Sequence, residues 1–281
     1  MQRVGVGAVL VAAALLLAAC GSGGADDLPR PGDPNHDPSP SREITLPPER
    51  GVLSYQLGGG YDPPAVADLV ARDSTDEPAE GLYSVCYVNG FQTQPGTDLD
   101  EVDALLLHDG DERVVDPDWP DEVLYDTSTP ENRGQVAELV ARDLDVCAEK
   151  GFDAVDLDNL DSFTRSRGLL DLADNAETAD LVAQQAHERG LAVGQKNAAE
   201  LTDAVAGTFD FALVEECAQF DECGAYLDAY GPLVYAVEYT DAQDVPFEQV
   251  CEQDGDRIGF TLRDRDLVPA GEPEHVETPC P

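Results

Sequence analysis

The strongest constraint on the fold is an alternation of strand-like apolar runs with helix-like segments along most of the chain. Eight runs have the length and composition expected of buried strands. They are residues 52–57, 81–90, 122–126, 152–159, 191–197, 209–217, 233–239 and 257–264. Helices are predicted between them, at 64–73, 99–107, 131–151, 176–190, 199–208, 224–231 and 245–253.

Eight strands, with a helix after each of the first seven, predict an α/β domain folded as a (β/α)8 (TIM) barrel. The roughly 230 residues from Val52 onward lie within the usual length of that fold. A doubly wound sheet would show the same alternation, but it more often carries a G-x-G-x-x-G turn after its first strand. The glycines at 58, 59 and 60 do not form that motif, so the barrel is favoured.

The N-terminal 20 residues have the pattern of an export signal. Arg3 precedes an apolar run over residues 4–19, which is short for a spanning helix. The sequence "LAAC" resembles a bacterial lipobox, which implies cleavage before Cys20 and lipidation of its sulfur. An ordinary signal peptide with a chance cysteine is the alternative.

The chain is therefore predicted to have three parts. They are a lipoprotein signal peptide at 1–19, a disordered Pro/Gly/Ser-rich linker at 20–48, and the barrel domain at 49–281. The predicted location is outside the cytoplasm, with the protein anchored to the cell membrane through lipid.

Six cysteines follow Cys20, and an even number in an exported chain suggests disulfides. The expected pairs are Cys217–Cys223, which would close a short loop, Cys251–Cys280, which would attach the C-terminal tail, and Cys86–Cys147 by elimination. Zinc is the alternative, but the chain has no C-x-x-C motif and its four histidines are scattered. Neither a metal nor a cofactor is expected.

The net charge of −42, from 58 acidic and 16 basic residues, restricts the partners. Such a field repels nucleic acid and anionic membrane surfaces, so the lipid anchor is the only membrane contact expected. The field would attract a cationic ligand, although an acidic surface also serves solubility alone. A monomer is expected.

Charged residues end several of the predicted strands. In a barrel, alternate residues point inward, and small residues such as Ala154 and Gly194 often mark the crowded inner side. Applied to five strands, this rule sends six polar side chains inward: Gln56, Asp156, Asp158, Lys196, Glu216 and Glu238. All sit at carboxyl ends of strands, where barrel active sites lie. The two aspartates are expected to be hydrated and partnered by the lysine.

Polar residues at strand ends also have explanations other than an active site. Strand ends can simply become polar as they turn into loops. A calcium loop that starts at Asp156 would need Gly at 161 and Glu at 167, where the chain has Asp161 and Arg167. Inward carboxylates on different strands instead suit glycoside hydrolysis, in which one carboxyl protonates the leaving oxygen and the other attacks the sugar or activates water.

Six stretches occur in the order found in glycoside hydrolase family 114, the endo-α-1,4-polygalactosaminidases, which this sequence resembles over roughly residues 52–240. They are "YQLGG" (55–59), "VCYVNG" (85–90), "CAEKGFDAVDLDNLDSF" (147–163), "AHERGLAVGQKNAAEL" (186–201), "FDFALVEECAQFDEC" (209–223) and "VYAVEY" (234–239). The chain departs from the family where "DLDN" replaces Glu-Pro-Asp-Asn and where Tyr55 replaces a common tryptophan.

The resemblance implies a barrel that cleaves α-1,4-linked galactosamine or N-acetylgalactosamine polysaccharide. Strand parity and the family motifs together assign Asp158 as nucleophile and Glu216 as acid/base, with retention of configuration expected. The residues expected to bind substrate are Gln56, Tyr87, Asp156, Asn159, Lys196, Asn197, Glu215, Glu238 and Tyr239. A partly de-N-acetylated polymer is cationic and matches the acidic chain. The alternatives are a non-catalytic carbohydrate-binding lipoprotein and a hydrolase of another exopolysaccharide.

Overall fold

Eight parallel strands form the centre of the protein in the computed structural model, which describes residues 43–281. Each strand pairs with the next along the chain, which confirms the predicted (β/α)8 barrel. The strands are β1 (Leu53–Gln56), β2 (Leu69–Asp73), β3 (Tyr83–Asn89), β4 (Ala154–Asp158), β5 (Ala192–Lys196), β6 (Phe211–Glu215), β7 (Val234–Tyr239) and β8 (Gly259–Arg263). A short strand, β9 (Glu277–Pro279), pairs antiparallel with β8.

The barrel closes where β8 approaches β1. The Thr261 hydroxyl donates a hydrogen bond to the carbonyl oxygen of Leu53 at 2.8 Å. Gly259 permits the approach, because a Cβ at that position would lie 2.3 Å from the carbonyl oxygen of Gly51.

Two predicted elements are wrong. The helix predicted at 64–73 is absent, since these residues contain β2, whereas the strand predicted at 122–126 lies outside the barrel sheet. The start of β2, Leu69–Ala71, is buried on both faces, so it lacks the polar face that distinguishes a strand from a helix in sequence. Residues 123–125 form isolated antiparallel bridges within the long connection that follows β3. The two errors offset each other, which leaves the predicted number of barrel strands correct.

Seven α-helices are present among the described residues. They are α1 (Leu99–Val102), α2 (Pro130–Lys150), α3 (Ser162–Arg165), α4 (Leu172–Glu188), α5 (Thr202–Val205), α6 (Cys223–Tyr230) and α7 (Phe247–Asp254). The longest, α2, begins where the Thr129 side chain accepts the N–H of Asn132 at 3.1 Å and ends at Gly151, whose φ of 93° few other residues tolerate.

The alternation along each strand separates two apolar layers. One layer lies between the strands and the helices, and it includes Val155, Leu157, Ala212, Val214 and Ala236. The other fills the barrel interior and consists of Leu53, Tyr55, Leu69, Ala71, Val85, Ala154, Ala192, Phe211, Leu213, Tyr235, Val237 and Tyr239. Large and small residues face each other in this interior: a Cβ at Gly194 would lie 2.5 Å from the Phe211 ring.

All three predicted disulfides are confirmed. Cys86–Cys147 joins β3 to α2, with a Cα–Cα distance of 6.0 Å. Cys217–Cys223 closes the loop between β6 and α6, and Cys251–Cys280 attaches the segment after β9 to α7.

The described chain begins inside the region predicted as linker. Ile44 packs against the interior cluster, and the hydroxyl of Tyr83 donates to the carbonyl oxygen of Thr45 at 2.8 Å. The rest of the predicted linker and the predicted signal peptide with Cys20 lie outside the described residues. Within residues 43–281, no helix combines the length and apolar character needed to cross a bilayer.

Candidate active site

A cavity of about 590 Å³ opens at the carboxyl ends of the barrel strands. Its walls come from seven strand ends and from three connections, which follow β3, β4 and β8. The lining residues are Tyr55, Leu57, Gly58, Asp73, Tyr87, Asp116, Asp118, Trp119, Glu122, Asp158, Asn159, Asp161, Arg165, Lys196, Asn197, Glu215, Tyr239, Arg265, Asp266 and Leu267. Active sites of this fold lie at the same end of the barrel.

Lys196, at the end of β5, lies at the base of this cavity and is 3% exposed. Its ammonium nitrogen is 3.6 Å from an oxygen of Asp158, 3.6 Å from an oxygen of Glu215 and 4.0 Å from an oxygen of Asp156. Burial acts to lower the pKa of Lys196, but the surrounding carboxylates raise it well above its usual value. The lysine is therefore a fixed positive charge that three acids share.

Asp158 ends β4, and its side chain is 19% exposed. Its two oxygens have different donors: the Tyr87 hydroxyl donates to Oδ2 at 2.7 Å, and the backbone N–H of Asn159 donates to Oδ1 at 2.7 Å. These two bonds and Lys196 hold the carboxylate in place, and all three are contacts that suit an anion.

Glu215 ends β6, and its side chain is 25% exposed. The hydroxyls of Tyr55 and Tyr239 both donate to Oε1, at 3.0 and 2.8 Å. The Asn197 side chain holds the strand end by accepting the backbone N–H of Glu215 at 2.7 Å. Because Lys196 also contacts Oε1, the contacts to this carboxyl converge on one oxygen.

The separation of the two carboxyls is limited by their shared lysine. Each contacting oxygen, Asp158 Oδ2 and Glu215 Oε1, lies 3.6 Å from Nζ, so these oxygens are at most twice that distance apart. Any bent arrangement around the nitrogen brings them closer. Retaining glycosidases separate their carboxyls by about 5–5.5 Å and inverting ones by about 6.5–9.5 Å. The limit of about 7 Å set by Lys196 includes the whole retaining range and only the lower end of the inverting range.

The predicted inward orientation of Glu216 is wrong. Its strand neighbours Ala212 and Val214 pack under the helices, and it is Phe211, Leu213 and therefore Glu215 that face the interior. Glu216 instead forms a two-point ion pair with Arg265, with distances of 2.8 and 2.9 Å.

Gln56 and Glu238 are also on the outer side of their strands, contrary to the prediction. The side-chain oxygen of Gln56 accepts hydrogen bonds from the N–H of Tyr61 and from the Arg72 side chain, both at 3.0 Å. Glu238 accepts the N–H of Ala218 at 3.0 Å, and burial raises its pKa. Both residues stabilise loops next to the cavity rather than its wall.

Asp156 has the predicted orientation but not the predicted hydration. It is 0% exposed and lies one inward position deeper in β4 than Asp158. Neither carboxyl oxygen has a hydrogen-bond partner among the described residues. Burial raises the pKa of Asp156 well above its usual value, and repulsion by Asp158 and Glu215 adds to this, while Lys196 opposes it.

The remaining predicted binding residues all line the cavity: Tyr87, Asn159, Lys196, Asn197, Glu215 and Tyr239. Tyr87 and Lys196 are in contact, with the ammonium nitrogen 5.4 Å from the ring centroid. The catalytic and binding roles given to these residues stay predictions.

One part of the cavity wall was missed by sequence reasoning. It comes from "DPDWPDE", residues 116–122, in the connection after β3. Glu122 accepts hydrogen bonds from the side chains of Asn89 and Gln92, at 3.0 and 2.7 Å, and burial raises its pKa. The dense run of acids around a tryptophan was a usable signal, but it was obscured by the strand predicted at 122–126.

No group of three His, Cys, Asp or Glu side chains in residues 43–281 has the arrangement of a metal site. The carboxyls of the cavity, held in place by a lysine and several tyrosines, are groups capable of general acid–base and nucleophilic chemistry.

Comparisons with known proteins agree with this geometry. The family model described as "Glycoside-hydrolase family GH114" matches residues 35–280. The crystal structure of Aspergillus fumigatus Ega3 in complex with galactosamine is similar, with a TM-score of 0.65 and 23% identity over 80% of this chain and 95% of that one. The glycoside hydrolase domain of PelA from Pseudomonas aeruginosa has a TM-score of 0.55 and 16% identity over 79% and 97%. At these sequence identities, the structural similarity shows a shared fold and nothing further. No curated protein matches the chain.

Proposed function

Because the chain belongs to glycoside hydrolase family 114, we propose that it is an endo-acting glycosidase that cleaves α-1,4-linked galactosamine polymers with retention of configuration. The observation that carries this proposal is the pair of accessible carboxyls, Asp158 and Glu215, held against the one buried ammonium of Lys196. In this proposal Glu215 takes the place of Glu216 as the partner of Asp158, because Glu215 contacts Lys196 whereas Glu216 pairs with Arg265.

In the first step, a carboxylate oxygen of Asp158 attacks the anomeric carbon while Glu215 gives its proton to the glycosidic oxygen, and the bond to the leaving chain breaks. In the second, Glu215 removes a proton from water, whose oxygen attacks the same carbon and displaces Asp158. The contacts support these roles. Both oxygens of Asp158 accept hydrogen bonds, which suits an anion. The contacts to Glu215 converge on Oε1, so Oε2 is available to carry the proton.

The composition of the cavity wall supports a cationic substrate. Eight acidic residues line it against three basic ones, and the whole chain carries a net charge of −42. A polymer with free amino groups would be concentrated at such a site by long-range attraction. Ega3, a structural neighbour, is in complex with galactosamine, which is the ligand class proposed for this chain.

The proposal includes export and anchoring through a lipid on Cys20, and action as a monomer. Export and anchoring rest on the apolar run before "LAAC" and on the Gly/Ser-rich composition of the segment that follows. Replacing Cys20 by Ala should move the protein from the membrane fraction to the soluble fraction. Continued membrane association of that variant would contradict lipidation.

The function is tested by release of reducing ends from a de-N-acetylated α-1,4-galactosamine polymer. Asp158→Asn and Glu215→Gln should each lower kcat by at least about 10²–10⁴-fold, because each removes a group that transfers a proton or attacks the sugar. Glu216→Gln is the matched control, since it makes the same change one residue along the chain, and it should keep most of the activity.

Two results would contradict the proposal. Loss of turnover in Glu216→Gln with activity kept in Glu215→Gln would overturn the assigned pair. Binding of the polymer without release of reducing ends would indicate a carbohydrate-binding protein instead. NMR of the first product anomer distinguishes retention from inversion, and a panel of other polysaccharides tests the substrate.

A further inference from the structure

Trp119 is the single tryptophan of the chain, and it lies on the rim of the cavity. Its side chain is 63% exposed. Single exposed aromatic residues are common and mean little by themselves. The position of this one, in the wall of a cavity that contains the catalytic carboxyls, makes its surroundings informative.

The turn that presents Trp119 is tightly hydrogen-bonded. The buried carboxylate of Asp116 accepts the backbone N–H groups of Asp118 and Trp119 through Oδ1, at 2.8 and 3.2 Å. The carbonyl oxygen of Trp119 accepts the N–H of Glu122 at 2.9 Å. The Trp119 backbone is therefore fixed at both its N–H and its carbonyl while the indole projects from the protein, an arrangement that reduces the entropy lost when a ligand binds.

The same turn is connected to the catalytic strand end. The second oxygen of Asp116 accepts the side chain of Arg165 at 2.7 Å, and Arg165 donates to the Asn159 side chain at 3.0 Å. Asn159 in turn donates its backbone N–H to Asp158. A continuous chain of hydrogen bonds thus sets the position of the Trp119 turn relative to the proposed nucleophile.

The cavity is large enough for Trp119 to contact a second sugar unit. A volume of about 590 Å³ lies within the range that holds a drug-sized ligand, which is larger than one monosaccharide. The proposed nucleophile lies at a strand end, whereas Trp119 lies on a connecting loop, with Asn159, Arg165 and Asp116 between them.

We propose that Trp119 forms a distal subsite that holds a galactosamine unit of the polymer next to, but outside, the position of bond cleavage. An indole face binds the apolar C–H face of a pyranose by stacking, and a nearby ammonium group adds a cation–π attraction. The exposed carboxylate of Asp118, in the same wall, supplies a counter-charge for that ammonium. This inference rests on the proposed function, since it assigns a part of the same substrate.

The first test measures the intrinsic fluorescence of the Trp119 indole while a sugar ligand is added. In the Asp158→Asn variant, which should bind without turnover, titration with a galactosamine oligosaccharide should produce a saturable change in intrinsic fluorescence, because Trp119 is the only tryptophan. In the otherwise wild-type chain, Trp119→Ala should raise KM for the polymer about three- to tenfold with less than a twofold change in kcat. Trp119→Phe should recover part of the loss, since it keeps an aromatic face.

Phe220→Ala is the matched control, because Phe220 is similarly exposed, at 65%, and does not line the cavity. It should leave KM unchanged. A wild-type KM in Trp119→Ala, or no fluorescence change at oligosaccharide concentrations that saturate the enzyme, overturns the subsite. Failure of the proposed function gives a different pattern: the wild type then releases no reducing ends, while the fluorescence titration still reports whether Trp119 binds the sugar.

Discussion

Asp156→Asn should stabilise the protein at neutral pH and keep its activity. Asp156 is fully buried, and neither of its oxygens has a hydrogen-bond partner among residues 43–281. The charged groups that face it are Lys196, Asp158 and Glu215, and Tyr55 lies close as well. Burial and two like charges oppose its ionised form, and one cation at 4.0 Å favours it.

The magnitude follows from these opposing effects. At an effective dielectric constant near 20, a cation 4.0 Å away contributes about 4 kcal/mol of attraction. Removing a carboxylate from water costs several kcal/mol. Repulsion by the two nearby carboxylates adds to this cost, so the attraction to Lys196 is smaller than the total. The net penalty expected for ionised Asp156 is above about 3 kcal/mol, because the roughly 1–3 kcal/mol found for unsatisfied buried polar groups is exceeded when the group is charged.

The sign of the pH dependence is fixed by the direction of the pKa shift. The pKa of Asp156 is raised in the folded protein and is about 3.9 in the unfolded chain. Between these values the folded state binds a proton that the unfolded state lacks, so stability falls as pH rises from about 4 to the folded pKa. The slope cannot exceed about 1.4 kcal/mol per pH unit, which limits the total to about 4 kcal/mol at pH 7.

Urea denaturation of both proteins at pH 4 and pH 7 measures this effect. The difference in unfolding free energy, variant minus wild type, should increase by about 3–4 kcal/mol between the two pH values, and each kcal/mol corresponds to about 2–4 °C of Tm. Packing changes that do not depend on pH cancel in this comparison. Turnover should stay within about threefold of wild type, since an amide resembles a protonated carboxyl. A variant that is less stable at pH 7 than at pH 4, relative to wild type, or that loses turnover, refutes the reasoning.

Three further predictions concern other parts of the structure. Lys196→Met should abolish turnover and cost about 3–5 kcal/mol of stability at neutral pH, because it leaves the surrounding carboxylates without their cation; activity assays and urea denaturation check this. Replacing Cys251 and Cys280 by Ser should cost about 3.6 kcal/mol, the value expected for a closed loop of this size, measured by urea denaturation against the disulfide-bonded wild type. The hydrogen bond to Asp210 raises the pKa of His187, so its stabilisation is full below about pH 6.5 and is lost as pH rises through the folded pKa; His187→Asn should remove this pH dependence from thermal denaturation curves.

The orientation of β4 and β5 was predictable from sequence, and that of β1, β6 and β7 was not. In β4 and β5, Ala154 and Gly194 are on the crowded inner side, and the charged residues follow with the same parity. In β6, both faces are apolar, so alternation does not identify the inner one. The inner face of β6 carries the large Phe211, which fits because Gly194 on the neighbouring strand provides the space. Only the paired strands together determine which face is inside.

The loop at 116–122 shows a second limit of sequence reasoning. Its place in the cavity wall depends on Asp116 contacting Arg165, a residue 49 positions away. Such a contact leaves no periodic pattern in the chain. The spacing of the family motifs could locate the strand ends, but it gave no information about a connection that lies outside the repeating strand–helix units.

A neutral Asp156 completes the charge balance of the proposed reaction. Before cleavage, the cation of Lys196 is matched by one anion, Asp158, while Glu215 holds its proton. After the first step, Asp158 is esterified and uncharged, and Glu215 has become the anion at the same 3.6 Å distance from the lysine. The negative charge thus passes from one contact of Lys196 to the other, and the net charge of Lys196, Asp158 and Glu215 together is zero in both states. An ionised Asp156 would add a second anion throughout, which would oppose loss of the proton from Glu215. A protonated Asp156, the form that burial favours, therefore suits the proposed transfer of charge between the two contacts of Lys196.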